Sequence, residues 1–198
     1  INKNSISNKD SNVLFVGRIV KEKGVEIYVD AIKKIANNFP NWQFFLIGNS
    51  GTRNKFFKNK FENEIIEKFK NIGPNTNQIG FISNPEVLKI MEKSLILVVP
   101  SLWQEPFGLT AIEGLANRMI VIGNNVGGLK DIIKGRGILI DNINAEKLSL
   151  KLNELMKNPS LMNMFQNKCW ENYIFDQKKV SNQQDKIREN IYKSFYND

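Results

Sequence analysis

The chain has 198 residues, 41% of them apolar, which is enough to bury one core and too few for two domains of ordinary size. Lysine and arginine number 28 against 20 for aspartate and glutamate; the net charge of +8 favours an anionic partner without choosing among phosphate, nucleic acid and a lipid headgroup, and a composition simply rich in lysine and asparagine would give it too. One cysteine, Cys169, and no histidine exclude an internal disulfide, multi-cysteine or histidine-ligated metal sites, and every Ser-His or Cys-His nucleophile pair.

In chain order, residues 1–11 are polar and read as linker; the chain opens at Ile1 rather than Met and is expected to be a piece of a longer product. Short apolar runs follow at Val13 to Val16, Phe44 to Ile47, Gln78 to Ile82, Leu95 to Val99, Met119 to Ile122 and Gly137 to Ile140, each with the look of a buried parallel strand. Between the first two, Val25, Tyr28, Val29, Ile32, Ile35, Ala36 and Phe39 mark one helical stripe that Pro40 stops. Asn54 to Lys70, Pro85 to Lys93, Gly108 to Asn117, Gly128 to Lys134 and Ala145 to Lys157 are further expected helices, with two more, Leu161 to Tyr173 and Gln177 to Tyr196, after the last strand. This alternation predicts an α/β, Rossmann-like doubly wound parallel sheet of about six strands with helices on both faces. No run of about eighteen apolar residues and no secretory signal pattern occurs, so the chain reads as soluble and, with its lone cysteine, cytoplasmic.

Such sheets bind ligands beyond the carboxyl ends of their strands, where loops and helix starts offer unpaired amides. After the first strand, Gly17 and Arg18 precede Lys23 and Gly24 at a helix opening, a place where two cations could hold a pyrophosphate. Taken alone, a solvated strand-to-helix turn is the simpler reading. After the fourth strand, the segment from Ser101 to Glu113 holds a Pro-Phe-Gly turn between two acids, with a helix beginning near Leu109. Its first amides suit a phosphate, while Glu105 and Glu113 can face one crevice and accept sugar or ribose hydroxyls.

The pieces Gly17-Arg18 with Glu22-Lys23-Gly24, Leu46-Ile47-Gly48, Gly80-Phe81-Ile82, Val99-Pro100-Ser101, the two acids Glu105 and Glu113, and Val126-Gly127-Gly128 together resemble the retaining glycosyltransferases of family 4. The resemblance runs from about Asn12 to Pro159. It implies the GT-B fold of two facing Rossmann-like domains, with residues 12–175 as the C-terminal, nucleotide-sugar-binding one. Residues 176–198 would then form a helix packing toward an N-terminal domain that carries the sugar or glycolipid acceptor. By the same resemblance Gly17, Arg18 and Lys23 would hold the donor diphosphate and Glu113 the ribose. Glu105 and the amides of Phe107, Gly108 and Leu109 would hold the sugar, Thr110 would lie near the phosphates, and Phe81 and Ile82 would touch the base. Arg18, Lys23 and Glu105 are the expected catalytic residues. The implied activity is hexosyl transfer to a glycan, lipopolysaccharide or lipid-linked acceptor, as in polysaccharide biosynthesis, with this domain inactive alone. Two departures stand out: Gly114 directly follows Glu113, and Asp131 replaces the common Glu after the Gly-Gly pair.

Breaking an anomeric bond places positive charge on the sugar and negative charge on the diphosphate, which fixed cations and amides would stabilise. A glycosidase-like role for Glu105 needs a second carboxyl at about 5 to 5.5 Å, so a hydroxyl-acceptor role is preferred. No Asp-x-Asp sequence occurs, and neither metal nor cofactor is expected. Competing readings are a nucleotide-sugar epimerase, a sugar-nucleotide sensor and a nucleic-acid-binding module. The last draws on Lys55, Lys58, Lys60, Lys68 and Lys70, but Glu62, Glu64 and Glu67 interrupt that run, so no nucleic acid partner is expected. Peripheral contact with the inner face of the membrane is compatible, although no amphipathic anchor stands out.

Overall fold

The computed structural model describes residues 9–51 and 59–171. Six parallel strands run through these residues: β1 (Asp10–Val16), β2 (Gln43–Ile47), β3 (Thr76–Ile79), β4 (Ser94–Val99), β5 (Ile120–Asn124) and β6 (Ile138–Ile140). Their order in the sheet is β3-β2-β1-β4-β5-β6, so the chain winds outward from β1 in one direction and resumes from β4 in the other. The expected doubly wound fold is the one found. The reversal between β1 and β4 leaves a crevice at their carboxyl ends.

Strand positions alternate between two buried layers. Val13, Phe15, Ile96, Val98, Ile120 and Ile122 face one core, while Leu14, Leu97 and Val121 face the other. Burial on both sides is why the strands appear in the sequence as unbroken apolar runs. The first core is covered by α1 (Val25–Ile35), α2 (Lys60–Lys70) and α6 (Ala145–Met156). The second is covered by α3 (Asn84–Lys93), α4 (Leu109–Ala116) and α5 (Gly127–Ile133), with Cys169 of α7 (Pro159–Glu171) packed into it. Tyr28 crosses from α1 to the sheet, where its single hydroxyl proton lies between the carbonyl oxygens of Val13 and Phe45, 3.1 and 3.0 Å away, which satisfies a fully buried donor.

Several boundaries differ from the sequence expectation. β1 starts at Asp10, so the last two residues assigned to the linker belong to the sheet, where Asp10 pairs with Ser94. Just before it, Lys9 Nζ lies 3.2, 2.9 and 2.8 Å from the carbonyls of Met91, Glu92 and Ser94. β3 ends at Ile79, and Gly80, Phe81 and Ile82 form a loop, because β2 stops at Ile47 and offers no further partner beyond the bond from Gly48 N to Ile79 O. α2 begins at Lys60, where Asn59 is extended and its side chain caps the helix by accepting from Glu62 N at 2.7 Å; the expected start at Asn54 lies outside the described residues. β5 begins at Ile120, as Met119 still donates to Gly114 O. Lys55 and Lys58 of the lysine run, and the expected helix at 176–198, lie outside the described residues. Lys60 pairs with Glu64 along the exposed side of α2 and Lys68 reaches across to Asp30 of α1, whereas Glu62, expected on the same solvated face, is buried. Among the described residues no helix is long and apolar enough to cross a membrane.

Candidate donor-binding site

The crevice beyond β1 and β4 holds two adjoining cavities. The smaller, of about 350 Å³, is bordered by Lys23, Ser101, Glu105, Phe107 and Gly108. The larger, of about 530 Å³, is bordered by Arg18, Asn49, Phe81, Ile82, Asn84 and Glu113. Val16, Gly17, Leu109 and Thr110 border both. Each residue expected to hold the donor or to act in catalysis therefore lines this crevice, but in two lobes. Lys23 and Glu105 share one, Arg18 and Glu113 the other, with Gly17 and the start of α4 between them.

The backbone fixes these loops tightly. Glu22, in the 3-10 turn before α1, accepts from the amides of Leu102 and Trp103 at 2.8 and 3.2 Å, joining the loop after β1 to the loop after β4. Gly24 has φ +65, and a Cβ there would stand 2.0 Å from the Pro100 carbonyl oxygen, so only glycine admits this approach. On the other side of the loop, Gly128 N donates to Glu105 O at 2.6 Å. A Cβ on Gly127 or Gly128 would fall within 3.0 Å of the Glu105–Pro106 backbone. The Gly-Gly pair is thus what lets α5 seat the acidic loop.

At the start of α4, Ala111 and Ile112 donate to Gly108 O. The amides of Phe107, Gly108, Leu109 and Thr110 donate to no acceptor among the described residues. A helix start with exposed, unpaired amides is electropositive and geometrically ready for an anion.

The charged side chains are not all equally available. Lys23 Nζ is paired with Glu105 Oε1, and the Ser101 hydroxyl lies 3.0 Å from the same oxygen. The sequence placed Arg18 and Lys23 together at one mouth; in the structure Lys23 turns to the acid and Arg18 stays exposed on the far side of Gly17. Glu113 Oε1 accepts from Asn84 Nδ2 at 2.8 Å. Behind Ser101, the buried Asn124 donates to its carbonyl at 2.9 Å and accepts from Ile143 N at 3.3 Å.

Sequence reasoning gave no role to Ser101, Asn84, Asn49 or Asn124. Asn84 carried one usable signal: it follows Ser83 in a Ser-x-x-Glu box that places it at the first turn of α3, facing the crevice end of the sheet. Ser101 stood in the Val99-Pro100-Ser101 piece without a role of its own, and Asn49 and Asn124 carried no signal, because an asparagine just after or at the end of a strand looks like any loop residue. Among the described residues no three of Cys, Asp and Glu gather as metal ligands would.

A doubly wound sheet with an anion-ready helix start between cations and carboxylates at its switch point defines a nucleotide-binding type of domain. The family model for Glycosyl transferases group 1 matches residues 1–170, and the chain belongs to that family. An uncharacterised glycosyltransferase of Methanocaldococcus jannaschii is 40% identical over 150 residues, 75% of this chain and 39% of that protein. The C-terminal domain of a glycosyl transferase group 1 family protein from Francisella tularensis superposes with a TM-score of 0.72 at 24% identity, covering 87% of this chain and 88% of that one. Anabaena HepE in complex with UDP-glucose gives a TM-score of 0.74 at 16% identity over 91% of this chain and 49% of that one. The fold is accordingly that of the C-terminal half of a GT-B glycosyltransferase. The chain spans about two fifths of the length of the curated relatives it matches, 39% and 37% for the first two.

Proposed function

We propose that this chain is the donor-binding half of a retaining, family 4 hexosyltransferase that moves a sugar from a nucleoside diphosphate to a glycan, lipopolysaccharide or lipid-linked acceptor. The observation that carries this is the row of unpaired amides from Phe107 to Thr110, set between Lys23 and Glu105 on one side and Arg18 and Glu113 on the other. In this reading the diphosphate sits at the α4 start, the sugar in the smaller lobe against Glu105, and the nucleoside in the larger lobe, its ribose on Glu113 and its base beside Phe81 and Ile82.

The chemistry needs no protein nucleophile. As the anomeric bond lengthens, negative charge grows on the diphosphate, where the amides of Leu109 and Thr110, Lys23 and Arg18 stabilise it. Those groups do the work a divalent metal does elsewhere, so transfer is proposed to be metal-independent. The acceptor would be held mainly by an N-terminal domain, and the isolated domain would bind without transferring.

Calorimetry with UDP, GDP, ADP and their glucose conjugates tests the reading. Binding of at least one, weakened by Arg18→Ala and by Glu113→Ala, is expected. No heat with any of them at millimolar ligand would sink it. UDP-glucose is the first to try, because it is the ligand of the HepE complex.

A further inference from the structure

The pairing of Lys23 with Glu105 is a feature that donor binding alone does not require. Their side chains are 28% and 12% exposed, so the attraction is only partly screened by water. The backbone on both sides is fixed independently of that contact. Lys23 N donates to Val20 O at 3.1 Å, Glu105 N to Trp103 O at 2.8 Å, and Glu105 O accepts from Gly128. Only the two side chains are left to re-aim. Both border the same small lobe as the free amides of Leu109 and Thr110, so an anion seated there meets an ammonium already neutralised and a carboxylate of its own sign.

We propose that Glu105 makes the site discriminate between an intact sugar donor and the bare nucleoside diphosphate, by holding Lys23 whenever no sugar fills the smaller lobe. This rests on the donor-binding reading above. With an intact donor, the sugar hydroxyls donate to the Glu105 oxygens, compensate its charge and release Lys23 to the diphosphate. Once the sugar has left, Glu105 loses those donors and takes Lys23 back, so the diphosphate is left without that cation. The ion pair therefore favours the substrate over the product that shares its phosphates, and hastens the product's departure.

The test is calorimetry of this chain and of Glu105→Gln against UDP, GDP, ADP and their glucose conjugates. Glu105→Gln is expected to tighten the bare diphosphate on the order of tenfold while leaving the conjugate no tighter, so that the selectivity ratio collapses. A readout on the unaltered chain accompanies it: the side-chain NMR resonance of Lys23, assigned by its loss in Lys23→Arg, should move on adding the conjugate and hold its place with the bare diphosphate. If Glu105→Gln weakens both ligands alike, or if the Lys23 resonance moves equally with both, the proposal is overturned and donor binding stands. If the unaltered chain binds neither ligand, the donor reading falls as well.

Discussion

Asn84 donates from Nδ2 to Oε1 of Glu113 across 2.8 Å, tying the first turn of α3 to the middle of α4 at the rim of the larger lobe. The bond engages one carboxylate oxygen of a residue that borders the larger cavity and restricts its rotamer. Removing the amide should loosen that carboxylate. Asn84→Ala is expected to weaken nucleoside diphosphate binding by roughly fivefold, near the 1 kcal/mol typical of such a bond, while Glu113→Ala costs more. Calorimetry on both variants checks the order; equal affinity for Asn84→Ala and the unaltered chain would remove Asn84 from the site.

Gly24 is the pivot of the loop that carries Lys23. Substitution by alanine combines a left-handed backbone with a Cβ 2.0 Å from the Pro100 oxygen, and the loop cannot retreat without losing the two amide bonds to Glu22 O. Gly24→Ala should therefore destabilise by about 2 to 4 kcal/mol. Urea denaturation gives the value, and a loss below about 0.5 kcal/mol would mean that the two loops are not locked together.

Cys169 is fully buried, with Sγ 3.3 Å from the Met119 carbonyl oxygen, and burial pushes its thiol up to about 12. At pH 8 the folded chain should leave a thiol-specific reagent such as Ellman's unreacted, and one equivalent should react in urea. Prompt reaction of the folded chain would show that α7 does not stay docked on α4 and β5.

Lys9 gives the pH prediction. Burial lowers its ammonium from 10.5 to about 8, with nearby Glu92 opposing the shift. A base with a depressed folded pKa binds fewer protons folded than unfolded between those two values. Its contribution to stability thus rises with pH from about 8 to about 10.5 and is flat below 8. Lys9→Met should remove that slope from the stability-pH curve; an unchanged curve would place Lys9 in water.

The fold was legible in the sequence to the extent that strands are buried on both faces. β1, β4 and β5 announce themselves as apolar runs because neither face meets water. β3 lies at the sheet edge with Thr76, Asn77, Gln78 and Ile79 all half-buried, so its polar start carries no apolar signal and the loop residues Phe81 and Ile82 lengthen the apparent run instead. The candidate site was legible as a set of positions, since glycines, cations and acids cluster after β1 and β4. Its internal pairing was not. Whether Lys23 reaches Glu105 or stands beside Arg18 depends on rotamers and on how closely Gly24, Gly127 and Gly128 let three loops approach, and none of that is periodic.

Lys23 and Glu105 stand 82 positions apart in the chain, and the glycines that seat Glu105 come later still. During synthesis, β1, α1 and β2 can assemble from neighbouring sequence, but the crevice cannot take shape until α5 has left the ribosome. Its walls are among the last surfaces of the domain to be set. A nascent chain halted before Gly128 would already contain every charged group of the crevice and yet have no rigid place to hold them.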